Sequence, residues 1–162
     1  MIVVSNSSPL IALGRIQHLD ILPSLFTEIT VPTAVYKEVV VNGVSQPGAS
    51  ALAKAEWMTV QPVRNTEYVA YLLSTLDQGE AEAILLAQEL RANWLLLDEI
   101  KARSVARRLS LRVIGVAGVL VLAKQQQLIP AVKPLLDSLL LHNFRISQQV
   151  YQSAVAAAGE QL

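Results

Sequence analysis

The chain has 162 residues, of which 52% are hydrophobic and 16% are charged, with a mean hydropathy of +0.42. This length and apolar content are enough to bury a sizeable core, which excludes an intrinsically disordered protein. Thirteen basic residues balance thirteen acidic ones and cysteine is absent. These counts exclude a broad non-specific nucleic-acid coat, disulfides and thiolate metal sites.

Short apolar runs alternate with helical patterns along the chain. The runs predict strands at 2–4, 28–31, 94–97 and 111–114, and a short strand or an extended connector at 57–60. Apolar residues at helical spacing predict one helix that begins at Ser8 and another that begins at Pro32. Further helices are predicted at 49–56, 66–76, 80–91, 99–109 and 118–127, and two more follow Pro130. The segment 42–48, with two glycines and one proline, is the clearest loop.

The order of these elements predicts the fold class. The run 94–97 is apolar throughout, as in a parallel strand that is buried on both faces. Strands separated by helices predict a three-layer α/β/α domain with a central parallel sheet. Ligand sites in such sheets form beyond the carboxyl ends of the strands. Asn6 and Asp98 are the polar residues that follow the two most buried-looking strands.

Two further acids can reach the same edge of the sheet. Glu80 lies in the first turn of its helix, on the side that faces inward, and Glu38 follows Val35 by three residues in the helix that begins at Pro32. Each polar residue alone has an ordinary explanation as a helix cap, a helix-dipole partner, a solvated position or a turn residue. Carboxylates that converge on one edge, however, repel one another unless a cation or protons compensate. Such oxygen ligands favour Mg²⁺ or Mn²⁺, which can activate water for attack on a phosphodiester.

The basic residues are unevenly distributed. Six of the thirteen fall within 91–112, and four of them follow Asp98 on one predicted helix: Lys101, Arg103, Arg107 and Arg108. A solvated helix surface is the ordinary explanation of this cluster, and an RNA-binding surface is the functional one.

The sequence resembles a known family in six stretches: 4–13, 31–39, 76–84 (Leu-Asp-Gln-Gly-Glu-Ala-Glu-Ala-Ile), 95–99, 114–120 and 123–124. Their order and spacing are similar to those of the PIN-domain family, the fold of VapC-type toxin ribonucleases. The chain looks most like a branch of predicted nucleic-acid-binding PIN-like proteins of prokaryotes. The resemblance implies one PIN-like domain over 1–162, with a core at 1–127 and a C-terminal helical extension at 128–162.

The resemblance also implies the site. PIN domains hold Mg²⁺ or Mn²⁺ with a cluster of acids and cut RNA, so Glu38, Glu80 and Asp98 are implied as catalytic residues. The implied metal ligands are Asn6, Glu80 and Asp98. The family has aspartate where this chain has Asn6. An amide offers one oxygen without negative charge and cannot act as a base, so we expect weaker metal binding and slower catalysis.

We therefore predict a Mg²⁺- or Mn²⁺-dependent endoribonuclease of the PIN or VapC-toxin type. Because of Asn6, a catalytically weakened or inactive module that binds nucleic acid or protein stays open, as does an unrelated α/β domain that binds a small phosphorylated ligand. The expected partners are RNA, an antitoxin-like protein near the site, and a second copy bound through the tail helices. No apolar run approaches the ~20 residues of a membrane span and no secretory signal is visible, so we expect a cytoplasmic protein.

Overall fold

A computed structural model describes all residues, 1–162, and places five short strands in one parallel sheet. The strands are β1 (Val3–Ser5), β2 (Ile29–Pro32), β3 (Met58–Gln61), β4 (Trp94–Leu96) and β5 (Val113–Ile114). Their order across the sheet is β3-β2-β1-β4-β5. In the register of the two central strands, Val4 is opposite Leu95, and on the other side of β1 it is opposite Thr30.

Ten α-helices surround this sheet. They are α1 (Ser7–Arg15), α2 (Ile21–Phe26), α3 (Thr33–Tyr36), α4 (Ala49–Ala53), α5 (Thr66–Leu72), α6 (Gln78–Leu90), α7 (Ile100–Arg108), α8 (Val116–Gln125), α9 (Lys133–Leu141) and α10 (Gln148–Ala157). A π-helical turn, Lys37–Val41, continues α3 directly. None of the helices has the length and apolar character needed to cross a membrane.

The apolar side chains form two clusters that cover the two faces of the sheet. The larger contains 26 buried residues, among them Leu13 of α1 and Leu120 of α8. The smaller contains 14, among them Ile84 of α6 and Ala102 of α7. Successive strand side chains point to opposite faces, so Leu96 belongs to the larger cluster while Leu95 belongs to the smaller. The predicted three-layer α/β/α class with a central parallel sheet is confirmed.

The observed elements differ from the predicted ones mainly at their ends. Asn6, not Ser8, is the N-cap residue of α1, although its side chain does not bond to the helix. Glu99, not Asp98, caps α7, because its carboxylate accepts the N–H of Ala102. The explanation of Asp98 as an ordinary helix cap is therefore wrong.

The strand order locates the crevice in which a site is expected. From β1 the chain moves to β2 on one side, whereas β4 pairs with β1 on the other side. Connections therefore leave β1 and β4 in opposite directions, and a crevice opens beyond their carboxyl ends. Asn6 follows β1 directly, and its N–H donates to the carbonyl of Leu96 at the end of β4 (3.0 Å).

Candidate metal and nucleic-acid site

Three side-chain oxygens approach the backbone of Gly79, in the first turn of α6. A Cβ built on Gly79 would lie 3.3 Å from Glu38 Oε2, 3.4 Å from Asn6 Oδ1 and 3.6 Å from Asp77 Oδ1. Glycine at this position thus leaves room for oxygens from β1, from the π-helical turn and from the residue before α6. We call Asn6, Glu38 and Asp77 the oxygen cluster.

Glu38 reaches this cluster from the π-helical turn. Such turns are rare, and they occur frequently at functional sites. Burial raises the pKa of the Glu38 carboxyl, and the neighbouring Asp77 charge raises it further, whereas the nearby Ser7 hydroxyl opposes the rise. Ser7 itself is buried, and its Oγ lies near the Glu38 carboxylate without forming a hydrogen bond of good geometry. Neither of the two salt bridges in the protein involves Glu38, so its ionised carboxylate lacks a paired cation.

Glu80 and Asp77 bond to each other across the first turn of α6. The Asp77 carboxylate accepts the Glu80 N–H (2.8 Å), and the Glu80 carboxylate accepts the Asp77 N–H (3.1 Å), which is a capping box. Burial raises the pKa of Glu80, the bond from the Asp77 N–H lowers it, and the charges of Asp77, Glu99 and Glu38 raise it again. Glu80 thus serves its helix while it adds negative charge beside the oxygen cluster.

Asp98 lies at the carboxyl end of β4, and its carboxylate is turned toward α7 and α8. Its Oδ1 accepts the N–H of Val116 at 3.0 Å, and its Oδ2 is buried without any partner. Burial raises the pKa of Asp98 to about 6, while the bond from Val116 and the charge of Arg103 oppose the rise. A Cβ on Gly115 would lie 2.6 Å from Asp98 Oδ1 and 2.7 Å from Arg103 Nη1, so Gly115 is needed for this approach.

The four predicted nucleic-acid-binding residues occupy different surroundings on α7. Arg103 is half-buried, and its Nη1 donates to the Leu97 carbonyl at 3.2 Å rather than to Asp98. Burial and the charge of Arg107 lower the pKa of Arg103. Lys101, Arg107 and Arg108 are exposed. Arg103 is therefore the cation nearest to the carboxylates, and the other three extend the positive surface outward.

The structure brings the oxygens of Asn6 and Glu38 together beside Gly79, with the charge of Glu80 near enough to act on Glu38, and it turns the Asp98 carboxylate toward Val116. No three Asp, Glu, His or Cys side chains meet in a group that could hold an ion by themselves. The amide of Asn6 still adds a third oxygen to two carboxylates, and the unpartnered Oδ2 of Asp98 is a further free ligand atom. Since Mg²⁺ usually takes one or two carboxylates and keeps several waters, the oxygens present fit such an ion.

Asp77 and Ser7 also belong to this site, although the sequence did not single them out. Asp77 falls between the predicted helices 66–76 and 80–91. The spacing Asp77-x-x-Glu80 before an apolar run is that of a capping box, and this signal places Asp77 at the start of α6. No comparable pattern distinguishes Ser7 from an ordinary residue of a helix start.

The chain is similar to known PIN domains along nearly its whole length. A family model described as a PIN domain matches residues 2–160. Among solved structures, a PilT N-terminus domain protein from the hyperthermophilic archaeon Sulfolobus solfataricus P2 superposes with a TM-score of 0.51 at 21% sequence identity. The match covers 74% of this chain and 90% of the archaeal one, and it shows a shared fold. No protein of curated function matches the sequence significantly. On the family match and the fold, the chain belongs to the PIN-domain family.

Proposed function

We propose that this PIN domain is a Mg²⁺- or Mn²⁺-dependent endoribonuclease whose activity is weakened by Asn6. The convergence of Glu38 Oε2, Asn6 Oδ1 and Asp77 Oδ1 on Gly79 is the observation that carries the proposal. PIN domains generally use divalent metal ions, and these oxygens lie beyond the carboxyl end of the central strand β1, where α/β sheets bind ligands.

The chain's own residues divide the work of such a site. Glu38, Asn6 and Asp77 would hold the ion, with Glu80 beside them, and the unpartnered Oδ2 of Asp98 would be an additional ligand. The ion would activate water and stabilise the charge on the phosphodiester during attack. Burial and neighbouring carboxylates already raise the pKa of Glu38 and Glu80, so a divalent cation would relieve an existing repulsion.

The cations of α7 support an RNA substrate. Arg103 lies beside Asp98 at the end of β4, and Lys101, Arg107 and Arg108 continue outward along one helix. Phosphate groups bind such arginine and lysine side chains, and the affinity falls as salt rises. We propose that α7 positions the RNA backbone while the carboxylates hold the metal ion.

Calorimetric titration with Mn²⁺ tests the metal site. We expect weak binding by the wild type and roughly tenfold tighter binding by Asn6→Asp, because the variant adds a charged ligand at the oxygen cluster. Glu38→Gln should abolish binding, whereas Glu56→Gln, an exposed acid outside the site, should not change it. The absence of binding in both the wild type and Asn6→Asp would remove the metal site from the proposal.

An RNA cleavage assay tests the chemistry separately. Structured RNA with Mn²⁺ should be cut by the wild type, faster by Asn6→Asp, and not by Asp98→Asn. Equal activity of Asp98→Asn and the wild type would exclude a catalytic role of Asp98.

A second candidate function is an RNA-binding module that does not cut RNA, and the uncharged Asn6 favours it. This module would bind RNA in a salt-dependent manner. Reversing the charge at Arg103 and Arg107 would weaken that binding. Metal-dependent cleavage by the wild type would rule this candidate out.

Two protein partners are also proposed, a second copy of this chain and an antitoxin-like protein. Exposed apolar side chains on and after the tail helices, among them Leu140, Leu141, Val150 and Leu162, favour a homodimer through this surface. Sedimentation as a monomer at micromolar concentration would contradict it. A toxin role would require an antitoxin-like protein that covers the carboxylates, and co-purification with a small neighbouring gene product would test this.

A further inference from the structure

A cavity of about 340 Å³ opens beside the oxygen cluster, at the carboxyl ends of β2 and β3. Its volume lies at the lower end of the range of about 300–1,000 Å³ that is common for small-molecule sites. Its wall includes apolar and polar side chains, among them Thr33, Val63, Val69, Leu73, Gln78 and Glu82. The cavity thus combines apolar surface with a few fixed polar groups, as ligand pockets usually do.

The cavity and the oxygen cluster share the first turns of α6. Gln78 lines the cavity, while the side-chain oxygens of Glu38 and Asn6 lie where the next residue, Gly79, has no Cβ. A second link is Glu82, which lines the cavity and accepts the N–H of Ala34, in the helix that continues into the π-helical turn of Glu38. The cavity and the oxygen cluster are therefore neighbours along the first turns of α6.

Glu82 determines which chemical group the cavity accepts. Its Oε1 accepts the N–H of Ala34 at 3.1 Å, and its Oε2 accepts the side-chain amide of Gln78. These two bonds fix the carboxylate, yet a carboxylate has about four acceptor positions, so further acceptor capacity remains. Since Glu82 is the only charged side chain of the wall, the cavity rejects a phosphate and favours a neutral group that donates hydrogen bonds.

We propose that this cavity binds a nucleobase with an exocyclic amino group, next to the phosphate that the oxygen cluster receives, and that Glu82 accepts the amino hydrogen bond. The inference rests on the proposed function, since it assumes that the phosphate of an RNA lies at the oxygen cluster. A carboxylate that accepts from the N4 amino group of cytosine is an established means of base recognition.

Cytidine and uridine octamers test the proposal, because the two bases differ at position 4 in an amino group against a carbonyl. Binding is measured by fluorescence anisotropy with Ca²⁺ in place of Mn²⁺, so that a divalent cation can lie between the oxygen cluster and the phosphate, and a gel confirms that the octamers stay intact. We expect the wild type to bind oligocytidylate about tenfold more tightly than oligouridylate, which is within the discrimination that one good base contact provides. Glu82→Gln should lose this preference, and Glu67→Gln, an exposed acid on α5 outside the cavity, should keep it.

Ala70→Phe is a second variant, which fills the cavity from α5 without a change at Glu82. Ala70→Phe should also lose the preference for oligocytidylate. If circular dichroism shows that Glu82→Gln is unfolded, the result with Ala70→Phe alone tests the proposal. A wild type without preference, or a preference that survives in both folded variants, would overturn the proposal. Cleavage is assayed separately with Mn²⁺. If the protein prefers oligocytidylate but never cuts RNA, the proposed nuclease activity is refuted and the proposed base-binding cavity is supported. If it cuts RNA but shows no preference, only the nuclease activity is supported.

Discussion

Asp98 places one carboxylate oxygen in the interior without a hydrogen-bond partner, and the energetic consequence depends on pH. Its pKa of about 6 in the folded protein lies above the ordinary 3.8, so the folded protein binds this proton more tightly than the unfolded chain. The associated stability is fully present below pH 3.8 and is lost as pH rises through 6.

We expect this group to cost the metal-free protein roughly 3 kcal/mol of unfolding free energy between pH 4 and pH 7. Asp98→Asn should remove most of that loss and be more stable than the wild type at pH 7, while it loses a proposed metal ligand. Denaturant unfolding with a chelator at several pH values measures the difference. The control is Asp20→Asn, an exposed aspartate, which should follow the wild type. Parallel pH profiles of the wild type and Asp98→Asn would contradict the expectation.

At the residue scale the sequence indicated which side chains reach the carboxyl edge but not where their oxygens point. Asp98 was correctly placed after β4, because a fully apolar run ends there. Its direction toward Val116 and Arg103 depends on Gly115, whose missing Cβ makes room for both side chains. That contact is made between segments distant in the chain, so no local pattern contains it.

At the scale of the element, the start of α6 combines a structural role with a part in the proposed metal site. Asp77 and Glu80 cap the helix reciprocally, and Gly79 between them leaves space for Glu38 and Asn6. Glycine inside a helix costs about 1 kcal/mol relative to alanine. The helix therefore sacrifices some stability at a position where a methyl group would press on the oxygen cluster.

Gly79→Ala separates these two effects. The new Cβ would lie 3.3 Å from Glu38 Oε2, so that oxygen must shift by a few tenths of an ångström, and 3.4 Å from Asn6 Oδ1, which is an ordinary contact. We expect unchanged or slightly higher thermal stability, because alanine favours the helix, together with several-fold weaker Mn²⁺ binding.

Calorimetry measures the Mn²⁺ affinity of Gly79→Ala, and thermal unfolding of the same samples measures its stability. Gln88→Ala, an exposed change later in α6, serves as the control and should leave Mn²⁺ binding unaltered. Full Mn²⁺ affinity in Gly79→Ala would show that the oxygen cluster is not the metal site.

The types and order of the elements could be predicted from the sequence, whereas local irregularities could not. Apolar runs and periodicity predicted four strands and the main helices to within a few residues, and left 57–60, the region of β3, open between a strand and an extended connector. The helix from Pro32 instead changes to a π-helical turn at Lys37, which rotates Glu38 relative to a regular α-helix. Periodicity assumes 3.6 residues per turn, so it cannot reveal that change.

At the scale of the molecule, the topology assembles the site from segments that are far apart in the chain. Asn6, Glu38 and Asp77 belong to three different connections and meet because β1 lies in the middle of the sheet. The expected parallel order identified the correct edge, since sites form beyond the carboxyl ends. The pairwise distances required the complete fold, because they depend on how α6 packs against β1 and α3.

The C-terminal helices are attached to this core through Glu160. Its Oε2 accepts from Lys124 Nζ at 2.8 Å and from the Val132 N–H at 2.7 Å, and its Oε1 accepts from the Lys133 N–H at 3.0 Å. Burial alone would raise the pKa of Glu160, but the bonds from Lys124 and from the two backbone N–H groups lower it to about 2. One carboxylate thus joins the end of the chain to α8 and to the start of α9.

We expect Glu160→Gln to lower the unfolding free energy at pH 7 by about 1–3 kcal/mol, because the amide keeps one acceptor oxygen and loses the ion pair. The folded-state pKa lies below the ordinary 4.5, so the stability from Glu160 is present above pH 4.5 and is lost as pH falls toward 2. The Asp98 effect has the opposite sign and occurs between pH 4 and pH 6, so the two contributions can be separated in one pH series. Denaturant unfolding measures the unfolding free energy of Glu160→Gln, with Glu56→Gln as the control. Equal stability of the two variants at pH 7 would mean that the C-terminal helices are held by apolar packing alone.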